Sequence, residues 1–279
     1  MYKQRNKPLW MALKVLNGVA LALVSIVFCL PFVWMILTAF KSLGDTILIP
    51  PKWILDTLHW ENFAKAWQSG PFVQYMINSA ISTVGILIMQ LLVGIPAAYA
   101  YARYEFKGKG LLFSLTMVTM MIPSQLVFLP IYLLMSDWGL LNTFAALILP
   151  FAGSAFTIFL LRQSFMQIPQ EIVEAARMDN ANEFVVITRI MIPLAKSSLV
   201  TAALFSFISH WNDYFWPLIM TTNDTVRTLP IGIAKLREVE GGVAWNVLMA
   251  GNVILVIPIL ILFFVAQRQI IKAFVYSSK

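Results

Sequence analysis

Residues 15–40 read VLNGVALALVSIVFCLPFVWMILTAF, a run of 26 with no charged side chain. A helix needs roughly 20 apolar residues to cross a 30 Å hydrocarbon layer, so this run is long enough. Backbone amides in lipid have no water to bond and must be satisfied within the segment, which makes a crossing run helical. The stretch is too long for the apolar core of a signal peptide and lacks a convincing cleavage site, so it reads as a retained transmembrane helix.

The same pattern recurs along the chain. Spans are expected at 15–40, 72–102, 110–136, 140–161, 197–221 and 247–266, and Asp213 is the one Asp, Glu, Lys or Arg inside them. Pro123 and Pro130 are expected to interrupt the third span. The fold class is therefore all-α, a polytopic membrane protein with six transmembrane helices. No internal repeat, low-complexity tract or linker is visible, so residues 1–279 read as a single transmembrane domain.

Composition agrees. Of 279 residues, 59% are hydrophobic and 12% charged. A soluble domain has about a quarter of its residues charged, so a single water-soluble domain is not expected and a disordered chain is excluded. The net charge of +7 comes without any dense Lys/Arg tract, which argues against nucleic acid as a partner and for a membrane protein with basic cytoplasmic loops. With the N-terminus inside, 14 Lys and Arg fall on the inner side and 6 on the outer. That split places both termini in the cytoplasm.

Cys29 is the single cysteine, so no intrachain disulfide forms, and with two histidines no His/Cys metal cage is expected. No catalytic, cofactor-binding or metal-binding residue is expected. Residues 107–110, KGKG, lack the upstream glycine and the Ser/Thr of a phosphate-cradling loop. Ion-coupled carriers keep acids or bases at mid-membrane, and here only Asp213 qualifies, toward the outer end of its span. Uphill transport would thus draw its energy from another polypeptide. The competing reading is a stand-alone carrier or channel for a small polar solute. In the outer segment 41–70, Trp53, Trp60 and Trp67 are seven apart, fitting either an interfacial aromatic anchor or a partner surface.

Between the fourth and fifth spans, residues 169–183 read PQEIVEAARMDNANE. Pro169 suits a first helical position, and Glu171 and Glu174 suit the first turns, where the helix dipole favours acids. Ile172, Val173 and Ala176 make an apolar stripe, and Ala175 and Ala176 remove bulk so that another surface could approach. Asp179-Asn180 breaks the helix, because Asn tolerates the left-handed conformation. A second helical stretch runs to Pro193. By composition this is either a helix lying on the inner membrane surface or a docking element.

Glu174-Ala175-Ala176, Asp179 and Ala181, with Ile192-Pro193 at the far end, resemble the EAA motif of inner-membrane permease subunits of binding-protein-dependent ABC importers. Residues 211–219, WNDYFWPLI, resemble the fifth-helix signature of the carbohydrate-uptake branch, and residues 97–103, AAYAYAR, with Phe106 and Gly108, resemble the end of its second helix. Met121-Ile122-Pro123 and Gln267-Arg268 fit as well. The family usually has Gly where this chain has Asn180. The terminal residues 274–279, FVYSSK, lack the glycine-containing tail of many sugar permeases and, with residues 240–246, lean toward the glycerol-3-phosphate type.

The resemblance implies a type I ABC importer permease fold in a bacterial cytoplasmic membrane. It implies a second homologous permease subunit, two ATP-binding subunits holding ATP and Mg, and an extracytoplasmic solute-binding protein, with membrane lipid around the spans. The solute would be a sugar or sugar-like molecule of oligosaccharide or glycerol-3-phosphate type. Glu174, Ala175, Ala176, Asp179, Asn180, Ala181 and Pro193 become the ATPase-coupling residues, within a coupling segment at 169–193. Asn78, Gln125, Trp211, Asn212, Asp213 and Tyr214 are the solute-pathway candidates, with helix packing or gate lining as the competing role of the Trp211–Tyr214 cluster.

Overall fold

The computed structural model describes residues 7–237 and 243–276. The segment 240–242, the residues 277–279 and the basic Lys3 and Arg5 lie outside the described residues. In chain order the helices are α1 (Lys7–Ala39), α2 (Leu43–Thr46), α3 (Glu61–Gln68), α4 (Phe72–Arg103), α5 (Lys109–Val118), α6 (Ser124–Asp137), α7 (Phe144–Ile148) and α8 (Ala155–Met166). They continue with α9 (Gln170–Met178), α10 (Glu183–Val185), α11 (Ile192–Leu194), α12 (Lys196–Trp211), α13 (Phe215–Met220), α14 (Leu229–Lys235) and α15 (Trp245–Tyr276). Among the described residues there is no strand.

Among the described residues, three uninterrupted stretches are long and apolar enough to cross a membrane: Leu13–Ala39, Phe72–Arg103 and Trp245–Arg268. Three more pass the same test only as bent pairs, giving up to six spans if each pair is one. Residues 109–137 bend by 99°, residues 144–166 by 45°, and residues 183–211 by 82°. The first of these breaks has a local cause. Ile122 is extended (φ −85°, ψ 116°), as the residue before a proline prefers, and Pro123 then starts α6. Pro130, in contrast, is carried inside α6 without interrupting it.

The chain read as one domain packs as two compact units. One holds the residues up to Gly70 together with Ile233–Ile254. Its helix α1 leaves its apolar window wholly uncovered within the chain. Where α1 ends, Asn62 Nδ2 donates to the carbonyls of Ala39 and Lys41, each at 2.9 Å, and Asn246 Nδ2 donates to Asn62 Oδ1 at 3.0 Å. The buried Lys41 ammonium lies 4.1 Å from the centre of the Trp34 ring. Trp53 meets Trp34 edge-on and Trp60 meets Phe40 edge-on, so two of the three spaced tryptophans contact aromatic side chains of this unit.

The other unit holds Pro71–Gly232 and the chain from Leu255 onward. Helix α4 runs along α8 and α12. Gly94 permits the approach to α8, since a Cβ there would come within 3.1 Å of Thr157 Cγ2. One apolar cluster joins Ala98 and Tyr99 of α4 to Ile158, Leu161 and Phe165 of α8. A second joins Met135, Ala146, Leu147, Trp216 and Met220.

Candidate functional site

Helix α9 is the centre of the segment 169–193. Pro169 is its N-cap rather than its first helical residue, and Glu171 lies in the first turn. Val173 is fully buried and inserts into the cluster of Ala98, Tyr99, Leu161 and Phe165, with Val186 and Met191 beside it. Ala176 and Ala181 pack against the same cluster. This inward face is set by Val173 and Ala176, three residues apart and thus on one side of a helix. Ile172, read in sequence as part of the same stripe, is 40% exposed.

The opposite face carries Glu171, Glu174, Ala175 and Met178, all exposed. Their spacing of three, four and seven residues makes one continuous stripe. Ala175, the smallest, sits between the two glutamates and Met178, which is 84% exposed, so the stripe has a notch. The two adjacent alanines therefore have different surroundings, Ala176 partly buried against the bundle and Ala175 exposed.

The helix ends in a closed cap. Asn180 adopts φ 55°, the left-handed conformation expected of it. The Ala181 amide donates to the Ala176 carbonyl and the Asn180 amide to the Arg177 carbonyl, each at 3.0 Å. This is the paired bonding of a Schellman motif, normally built on glycine. Asp179 is the exposed C-cap, with its own amide bonded to the Ala175 carbonyl at 3.1 Å. Asn182 then starts α10 by accepting the Val185 amide at 2.9 Å, and a wide π-helical turn, Val186–Met191, leads into α11, where Pro193 is exposed.

Charged side chains that the sequence reading passed over hold this segment in place. Arg103, at the end of α4, donates from Nη2 to the carbonyls of Phe165 and Ile168 at 2.7 and 2.6 Å. Its Nη1 donates to Gln170 Oε1 at 2.8 Å. Glu183 accepts from Tyr99 Oη at 2.5 Å on one oxygen and from Arg177 at 2.9 and 3.2 Å on the other. Their one sequence signal is basic residues clustering at a span boundary.

The solute-pathway candidates do not form one site. Asn78 is fully buried; its amide nitrogen donates to the carbonyls of Thr225 and Arg227, and its oxygen accepts from Gln74. Gln125 is exposed at the start of α6. Trp211 is buried, stacks on Phe207 and donates to the Leu255 carbonyl at 3.0 Å. Asn212 bonds the Ile208 carbonyl of its own helix, and Tyr214 is 43% exposed. Asp213 Oδ1 accepts the Trp216 amide at 3.2 Å, closing the break between α12 and α13 as an N-terminal cap does. Asp213 also lines a cavity of about 10 Å³ with Ser82, Phe151, His210 and Trp216, none of these four picked out by sequence as a contact. That volume holds about one water and admits no sugar ring.

A family model described as "Binding-protein-dependent transport system inner membrane component" matches residues 90–275. The probable ABC transporter permease protein YurM of Bacillus subtilis is 35% identical over 251 residues, covering 89% of this chain and 82% of that protein. The arabinooligosaccharides transport system permease protein AraQ of Halalkalibacterium halodurans is 32% identical over 276 residues, 96% of each chain. A chain of a bacterial ABC transporter involved in importing the acidic polysaccharide alginate superposes with a TM-score of 0.81 at 24% identity, covering 96% of this chain and 98% of that one, which gives the same permease fold. The match spans α4 to α15 and so includes the capped α9 segment, and the chain belongs to the family of inner-membrane components of binding-protein-dependent transport systems.

Proposed function

We propose that this chain is one of two non-identical permeases of an ATP-driven carbohydrate importer, with α9 as the lever through which an ATPase pair drives alternating access. The observation that carries the reading is the two-faced α9: Val173 and Ala176 are held by the bundle while Glu171, Glu174, Ala175 and Met178 are exposed. A groove on a cytoplasmic ATPase would receive that stripe, with ATP and Mg bound by the ATPase. Both termini then lie in the cytoplasm, consistent with the Lys and Arg distribution.

Energetics favour packing over charge as the grip. Shifting a conformational ratio from 1:99 to 99:1 takes about 5.5 kcal/mol of differential interaction. An exposed ion pair from Glu174 supplies about 0–1 kcal/mol. Packing along the whole exposed stripe thus carries the grip, with the small Ala175 letting the groove approach and Glu174 setting register.

A sugar or sugar-like solute is favoured by the arabinooligosaccharide and sn-glycerol-3-phosphate permeases among the relatives, and the expected spans carry no Lys or Arg of their own to hold an anion. The test is to purify the complex with its native partners and measure binding-protein-dependent ATPase against oligosaccharides, monosaccharides and glycerol phosphate. Stimulation by a sugar-loaded binding protein is expected. Solute accumulation by this chain alone in liposomes would overturn the reading in favour of a stand-alone carrier.

A further inference from the structure

Helix α9 is gripped at both ends by one turn of α4. Tyr99 and Arg103 are four residues apart, so they lie on the same side of that helix. Arg103 holds the start of α9 through Gln170, and Tyr99 holds its end through Glu183 and Arg177. Glu183 is also the first residue of α10, which continues through the π-helical turn toward α12. One carboxylate therefore touches α4, α9 and the start of the bent 183–211 pair.

We propose that Glu183 is a positioning residue that transmits displacement of α9 to α4 and to α12 together, with the Tyr99 hydroxyl as its anchor in the bundle. This rests on the reading of α9 as the ATPase-driven lever. The two arms of the carboxylate are unequal. Arg177 and Glu183 are both substantially exposed, at 37% and 43% of their side chains, so water screens that pair. The Tyr99 hydroxyl sits on a side chain only 2% exposed and makes a charge-assisted bond. The Tyr99 ring is held separately, edge-on to Tyr104 and Phe165. Glu183 also interacts with the Tyr104 side chain at the end of α4, so removing the Tyr99 hydroxyl takes away the buried arm of the link while leaving that outer contact and the packing.

A purely structural staple would occupy the same place, and the readout must separate the two. The experiment compares the full complex carrying wild-type chain, Tyr99→Phe, Glu183→Leu or both, in proteoliposomes with the binding protein. It reads complex assembly, basal ATPase, binding-protein-stimulated ATPase and solute moved per ATP. Each single variant is expected to assemble normally, keep basal ATPase and lose about tenfold in the ratio of stimulated to basal activity, the size expected for one hydrogen bond to a charged group. The double variant is expected to be no worse than Glu183→Leu, because both changes cut one link. An unchanged ratio in both singles, a double loss equal to the product of the two, or a loss that follows failed assembly would each overturn the proposal. A wild-type complex without binding-protein stimulation would instead overturn the lever reading beneath it.

Discussion

Ala175 and Ala176 are neighbours in sequence, yet Ala176 packs on the chain's own core while Ala175 lies on the exposed stripe between Glu171, Glu174 and Met178. Bulk at these two positions should fail in different ways. Ala175→Trp is expected to leave the permease folded and to abolish binding-protein-stimulated ATPase, more completely than Glu174→Gln does. Ala176→Trp overpacks a filled cluster and is expected to cost about 1–3 kcal/mol of stability. Melting of the purified permease against ATPase stimulation of the complex separates the two, and full stimulation with Ala175→Trp would falsify the notch as the docking point.

The cap at Asn180 makes a second distinction. Because φ is already 55°, Asn180→Gly should preserve the Ala181-to-Ala176 and Asn180-to-Arg177 bonds and leave coupling unchanged. Asn180→Val must force a β-branched residue into the left-handed region, at about 1–2 kcal/mol. Hydrogen exchange at the Ala181 amide reads this directly: protection kept in the glycine variant and lost in the valine variant. Equal protection in both would mean that the turn does not depend on residue 180.

Asp213 can be assigned by the difference between two substitutions. Asn keeps an oxygen acceptor for the Trp216 amide, and Ala does not. If the carboxylate is a cap, Asp213→Asn leaves the uptake KM within about twofold and Asp213→Ala loses about 1 kcal/mol of stability. A tenfold rise in KM for Asp213→Asn would instead mark direct contact with solute.

Lys41 carries a pH signature. Burial penalises its ammonium and holds its pKa below the ordinary lysine value of 10.5; nearby Asp45 pulls it back up and Lys52 pushes it down. The folded state thus binds this proton less readily than the unfolded state, so stability from this residue rises with pH between the lowered value and 10.5. Lys41→Met is expected to melt higher than wild type at pH 7, with the gap closing as pH approaches 10. A gap independent of pH would mean that the Trp34 ring fully compensates the buried charge.

The helices were legible because lipid demands charge-free runs, and those runs can be counted in residues 15–40 and 72–102. The kink at Pro123 was legible because proline acts on its immediate neighbour. The break after Trp211 was not, since it is closed by a carboxylate whose acceptor role depends on where Trp216 turns. Nor were the anchors of α9. Arg103 and Gln170 are 67 residues apart, and Tyr99 and Glu183 are 84 apart, so only tertiary packing brings them together. The motif at 174–181 named the right segment, but which alanine faces out was decided by Val173, whose burial fixes the helix's rotation.

Helix α1 also changes what folding means for this polypeptide. Val15, Leu21, Phe28 and Phe32 are each more than half exposed within the chain, and each would add about 1.5–3 kcal/mol if withdrawn from water. Their sum rivals the whole 5–15 kcal/mol that separates a typical native state from its unfolded ensemble. Bilayer, micelle or companion subunit is thus a thermodynamic component of the native state, and any unfolding free energy measured after detergent extraction belongs to the protein and its amphiphile jointly.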